Sequence, residues 1–220
     1  MTKNEVLKEL RALEDDQIRA VNARHGDAHS VNLTALRALA KRIKSDHALA
    51  SELWSTTNSD ARLLATLICK PKQFSADELD HMVGLSATPK ELDWLVSYVV
   101  KENKHKEELR LRFKDAKKDF VASAGWMLTT ERVVKNPEGL DLTALLDEIE
   151  RDMKKASPRK QWSMNHCLAE IGIRNAKLRA RAVKIGEKLK VLIDYPASPG
   201  CTPPYAPVWI AEMVKRQKSA

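Results

Sequence analysis

Residues 33–68 read "LTALRALAKRIKSDHALASELWSTTNSDARLLATLI". Leu33, Leu36, Leu39, Ala40 and Ile43 recur at helical spacing and form one apolar stripe. Asp46 then stands where an N-cap belongs, ahead of a segment that ends at Trp54. Ser59 is expected to cap "DARLLATLIC", and Pro71 stops that helix because proline lacks a backbone donor and clashes with the preceding turn. Three medium helices with short breaks point to antiparallel neighbours rather than to a sheet.

Outward from this stretch the same punctuation recurs. "TKNEVLKEL" opens with a capping box of Thr2 and Glu5, an acidic break at Glu14–Asp16 leads into a second helix, and Asn32 starts the third. Ser75 caps "ADELDHMVG", and Thr88 with Pro89 starts the helix that contains "ELDWLVSYVV", residues 91–100. Further helices are expected near 105–115 and 117–135, then over 141–156, 158–172 and 176–189. No segment shows the period-2 alternation of a strand. Trp54, Trp94, Trp126, Trp162 and Trp209 recur every 32 to 47 residues, near the period of HEAT-like repeats. The expected fold is all-α: a curved α-solenoid of HEAT-like antiparallel helix pairs, forming a single domain over residues 1–220.

The tail departs from that pattern. "DYPASPGCTPPYAPVWI" carries prolines at 196, 199, 203, 204 and 207, together with Tyr195, Tyr205, Trp209 and Ile210. Apolar anchors of that kind are unneeded in a free linker, so residues 194–220 are expected to form a strap over the body with a terminal helix from about Ala206.

Composition agrees. Seven Gly and three Phe among 220 residues, with 43% hydrophobic and 31% charged residues, favour a folded helical protein over a disordered one. No run is long and apolar enough to cross a bilayer, and "MTKNEVLKEL" is unlike a secretory signal. Cys69, Cys167 and Cys201 are odd in number and far apart, so a reducing cytoplasm is expected rather than a disulfide framework.

The formal charge of +8 is regional. Residues 151–190 hold twelve Lys and Arg against Asp152, Glu170 and Glu187, a net of +9, which leaves −1 for the rest. Lys177, Arg181, Lys184 and Lys188 share one helical face, and Arg37, Lys41 and Lys44 make a shorter ridge. Such ridges suit a polyanion's phosphates, which give affinity and salt dependence without sequence specificity. Charge alone is equally compatible with a solvated basic face.

The 33–68 stretch has a Leu-Arg helix, a helix ending in Leu-Trp and one starting acidic-x-Arg. "MNHCLAEIGI" (164–173) and "RAVKIGEKLKVLIDYPASPGCTPPYAPVWI" (181–210) follow later. Together these resemble the DNA alkylation repair proteins, HEAT-repeat glycosylases of 3-methyladenine and 7-methylguanine, from about Leu33 to Ile210. The resemblance implies a solenoid whose basic concave face holds duplex DNA. It also implies excision of cationic alkylated purines, in which a carboxylate stabilises positive charge developing on the sugar. In the active enzymes that Asp lies four residues after a Trp, and an Arg and a second Trp complete the cleft. Here Trp94 matches the first Trp, but Tyr98 stands at the Asp position, Ser123 at the Arg position and His166 at the second Trp position. A neutral phenol cannot replace a carboxylate electrostatically. Asp93, rotated about 100° from Trp94 and near a helix start, suits the helix dipole better than catalysis.

His166 and Cys167 lie on an apolar helix, and His25 and His29 flank a glycine-containing loop, so no metal or cofactor is expected. Cys201 reads as a loop residue, with a reactive thiol left open. Three functions follow. The first is a DNA-binding protein, taking duplex or structured DNA, with base excision lost or altered. The second is an active alkylpurine glycosylase using a displaced carboxylate such as Asp93 or Asp119. The third is a scaffold for a protein partner. A monomer free of the membrane is expected.

Overall fold

The computed structural model describes residues 1–198 and 200–219, and of Lys218 and Ser219 the backbone only; Pro199 and Ala220, both within the expected 194–220 strap, lie outside the described residues. Two compact units emerge, Met1–Leu109 and Arg110–Ala220.

The first unit begins with α1 (Lys3–Ala12), α2 (Asp16–Ala23), α3 (Leu33–Ile43), α4 (His47–Trp54) and α5 (Ser59–Ile68). A 3-10 turn at Pro71–Gln73 leads to α6 (Ala76–Leu85) and α7 (Pro89–Trp94). The chain then winds through one π turn, Leu95–Val99, and a 3-10 turn, Val100–Glu102. Local chemistry starts each helix. Thr2 and Ser75 form capping boxes with Glu5 and Glu78, while Asp15, Asn32, Asp46 and Thr88 accept backbone N–H bonds as N-caps. The α5 cap is Asn58, whose Oδ1 lies 2.8 Å from the Ala61 N–H, and not Ser59 as the sequence suggested. Both residue types cap well, and the asparagine reaches the same turn from one residue earlier.

α5 is the centre of this unit. It packs against α1, α3, α4 and α7, and nine of its ten residues are buried. A helix buried all round must satisfy its polar residues internally. Asp60 does so by accepting from the Ser30 N–H and Oγ and from the Val31 N–H, at 3.0, 3.1 and 2.9 Å. Arg62 donates to the carbonyls of Trp54, Thr56 and Leu85 and to Glu91. The acidic-x-Arg signature is therefore a latch between successive helices. A single antiparallel bridge joins Glu14 to Val31, and no strand forms among the described residues.

α8 (Lys106–Lys114) carries the chain onward, and the second unit continues with α9 (Asp119–Lys135) and α10 (Leu142–Asp152). A 3-10 turn at Met153–Lys155 precedes α11 (Pro158–Arg174), α12 (Ala176–Leu189) and α13 (Ala206–Ser219). α11 takes the central place, packing on α9, α10, α12 and α13 around a core that includes Trp126, Leu146, Ile149, Met164, Leu168 and Ile185.

The strap is docked on this core. Asn165 donates to the Pro204 carbonyl at 2.8 Å. Gly172 and Gly186 leave room for the docking: a methyl group added at Gly172 would sit 2.5 Å from Ile210 Cδ1, and one at Gly186 2.6 Å from Pro207 Cδ.

Candidate nucleic-acid interface

In "ELDWLVSYVV" three residues do three different things. Glu91 is 1% exposed and pairs with Arg62 at 3.1 Å, so it belongs to the latch. Asp93 is half-buried on α7. Trp94 is buried along most of its ring, and Tyr98, 39% exposed, meets it edge-on with ring centroids 5.3 Å apart. The segment between them is wound as a π turn and not as the regular α-helix expected from sequence, yet the two rings still meet.

The Arg37 guanidinium carbon lies 4.9 Å from the Trp94 ring centroid. A cation over an indole face is attracted by the ring quadrupole, which orients Arg37 without neutralising it. Arg37, Trp94 and Tyr98 thus form one cluster from residues that sequence analysis placed in two separate groups. Lys41 and Lys44 are exposed; Lys44 lies just past the end of α3 with φ +66°.

In the second unit the family positions lie in different settings. Ser123 is fully buried, its Oγ 2.6 Å from Ser163 Oγ, so it ties α9 to α11 and offers no surface to a ligand. Asp119 also bridges these helices. Its carboxylate accepts from the backbone N–H groups of Arg159 and Lys160, at 3.3 and 2.8 Å, and from the Ser157 hydroxyl. That makes it the N-terminal cap of α11 supplied by a neighbouring helix. His166 stacks on Trp209, with centroids 5.0 Å apart and planes inclined by 19°. Glu170, 3.7 Å from His166 Nε2, accepts from Arg174 at 2.7 Å. The neighbouring His166 imidazole and then the Arg174 partner hold its carboxyl below the usual range, against the opposing effect of burial.

The α12 ridge is present but partly spent. Arg181 pairs with Asp147 of α10, and Lys188 with Glu150 at 2.6 Å. Lys177 and Lys184 point into solvent. Acids one helix away in space but more than thirty residues away in sequence were invisible to the charge pattern.

Neither histidine pairing gathers ligands. His29 is buried with its Nε2 2.9 Å from Asn22 Nδ2, while His25 is exposed. Among the described residues no group of three His, Cys, Asp or Glu side chains could hold a metal ion. Burial pushes the thiols of Cys69 and Cys167 up to about 12, leaving Cys201 as the exposed cysteine.

The sequence profile of the DNA alkylation repair enzyme family matches residues 6–210. The chain belongs to that family. Among the relatives of this chain is an uncharacterized protein of Listeria innocua, 23% identical over 197 residues, covering 86% of this chain and 87% of the relative. An uncharacterized protein of Listeria monocytogenes is 22% identical over 227 residues, covering 99% of this chain and 100% of the relative. A solved structure is also similar, from a new family of proteins related to the HEAT-like repeat DNA glycosylases with affinity for branched DNA structures. It shares 21% identity, spans 99% of this chain and 95% of that one, and gives a TM-score of 0.81. The all-α HEAT-like fold expected from sequence is the fold of this repair-family member. Among the described residues no helix is long and apolar enough to cross a membrane.

Proposed function

We propose that this member of the DNA alkylation repair family binds duplex or branched DNA and has lost or altered its base-excision chemistry. Tyr98 carries the proposal. It stands where the active enzymes of the family place an Asp, and it meets Trp94 edge-on beside the Arg37 guanidinium. Excision of a cationic purine needs negative charge near the sugar as the glycosidic bond breaks. A phenol and a guanidinium supply a hydrogen bond and a positive charge, which suit a phosphate instead. Arg37 uses one weak bond, 3.4 Å to the Leu33 carbonyl, and a guanidinium has five donors. Lys41 and Lys44 extend the phosphate contacts within the first unit; in the second, Lys177 and Lys184 are available to phosphates, while Arg181 and Lys188 would have to leave α10. The affinity for branched DNA described for the similar structure supports structured DNA as the ligand. The protein works as a monomer in the cytoplasm, with no cofactor.

The displaced-carboxylate alternative is weakened at Asp119, whose oxygens are engaged in capping α11. Two measurements test the proposal. Methylated DNA incubated with the protein should release neither 3-methyladenine nor 7-methylguanine, and release at the rate of an active enzyme would refute the loss of excision. Affinity for DNA should fall steeply with salt, and Arg37→Ala should lower the log–log slope by about one. Binding that is absent at low salt would refute the DNA-binding function and favour a protein-binding scaffold.

A further inference from the structure

The second unit carries a feature that extends beyond the family position at His166. Trp162 and His166 lie one turn apart on the same face of α11. Each is met by an aromatic ring delivered from the tail: Tyr195 against Trp162 with centroids 5.0 Å apart at 61°, and Trp209 against His166 at 5.0 Å and 19°. None of the four is buried. Tyr195 is 39% exposed and the His166 side chain 40%, while both tryptophans are partly buried, Trp209 with one side against the core of the unit. Only 5% of the chain is aromatic, so three such residues and a histidine on one patch are a concentration and not a sample of the average surface.

The tail is built to hold these rings in place. The Asn165 bond to Pro204 and the close seating of Ile210 on Gly172 and of Pro207 on Gly186 leave α13 no room to slide. Proline-fixed backbone before α13 lowers the entropy of keeping Tyr195 against α11. The unit also has twenty-two Lys and Arg against thirteen Asp and Glu, a net of +9, and so attracts a polyanion and not a basic partner.

From this juxtaposition we infer that the strap and α13 complete an aromatic platform on α11 that stacks unpaired DNA bases. The inference rests on the DNA-binding function proposed above and names the part of the ligand that this patch takes. Partly exposed aromatic rings clustered within a cationic unit are the arrangement by which proteins hold single-stranded nucleic acid: phosphates meet the cations, and bases stack on the ring faces left open, irrespective of sequence. Paired bases in a duplex interior have no free face to offer. The unpaired nucleotides at a fork, flap or gap do, so the platform distinguishes branched from continuous DNA without reading sequence.

The test compares a blunt duplex with the same duplex carrying an unpaired thymine arm, using the full chain at one salt concentration. The arm-bearing DNA should bind about tenfold more tightly, the effect of roughly one stacked base. Trp162→Ala and Tyr195→Ala should remove that preference while changing duplex affinity less than about twofold. Photocrosslinking of the unaltered protein to iodouracil at the first unpaired position does not depend on variants folding, and should mark Trp162, His166, Tyr195 or Trp209. Equal affinity for the two DNAs, or crosslinks confined to other residues, overturns the platform while leaving DNA binding intact. No binding to either DNA overturns the proposed function, and the platform with it.

Discussion

Removing the Arg62 guanidinium tests how the first unit holds the Trp94 segment in place. The Arg62 and Glu91 side chains are 7% and 2% exposed and meet at 3.1 Å. The same guanidinium satisfies the carbonyls of Trp54, Thr56 and Leu85, at 3.2, 2.8 and 2.9 Å. Arg62→Ala leaves Glu91 with the Ala87 N–H at 3.0 Å and no cation, and deprives three carbonyls of a donor. A buried pair that loses one partner costs about 3–5 kcal/mol, since the remaining charge stays desolvated without compensation. At roughly 2–4 °C per kcal/mol for a chain of this size, Tm should fall by about 6–20 °C. Circular dichroism during heating and a urea titration would measure it. Glu91→Gln keeps an oxygen for both donors and should cost less than Arg62→Ala. The double variant Arg62→Ala/Glu91→Ala should cost less than the two single changes added together, because they remove the same interaction. An Arg62→Ala midpoint within about 2 °C of the unaltered protein would refute the latch, as would strict additivity.

Three further outcomes are expected. Burial, the largest cause, holds the His29 imidazole below the ordinary histidine range; Asp27 and Asp60 oppose it, and Lys90 adds to it. His29 therefore folds neutral, so its contribution is complete above about pH 6.5 and is lost as pH falls below that value. Urea midpoints should decline on acidification, and His29→Gln should flatten that decline. Asp119→Ala should cost about 1 kcal/mol as a lost helix cap, read from urea midpoints, with Asp119→Asn costing less; an effect confined to excision would contradict its structural role. A thiol reagent under native conditions should label Cys201 rapidly, and Cys69 and Cys167 only after unfolding, as peptide mapping would show.

Helix starts were legible because they depend on local chemistry: the boxes at Thr2 and Ser75 and the caps at Asp46 and Thr88 lie within a few residues of the N–H groups they satisfy. The apolar stripe of α3 was legible for the same reason. The π turn after Trp94 was not, since an i to i+5 winding leaves no mark on apolar periodicity. Long-range pairing was equally hidden. Arg37 and Trp94 are 57 positions apart, and nothing in either helix says that one guanidinium will rest on that indole. Asp119 was weighed as a displaced catalytic carboxylate because its partners, 40 and 41 residues later, are backbone groups without a sequence signature. Ser123 had the opposite fate: the family position suggested a cleft, and helix packing put it in the core against Ser163.

Under the proposed DNA-binding function, the pairing of Arg181 with Asp147 and of Lys188 with Glu150 limits what the α12 ridge can contribute. The acidic edge of α10 occupies two of the four α12 cations much as a row of phosphates would. An incoming strand that recruits them must displace those carboxylates, which then face its own negative charge. The exchange yields little net release of condensed sodium or potassium, so the ridge should contribute to ionic-strength sensitivity as two cations and not four.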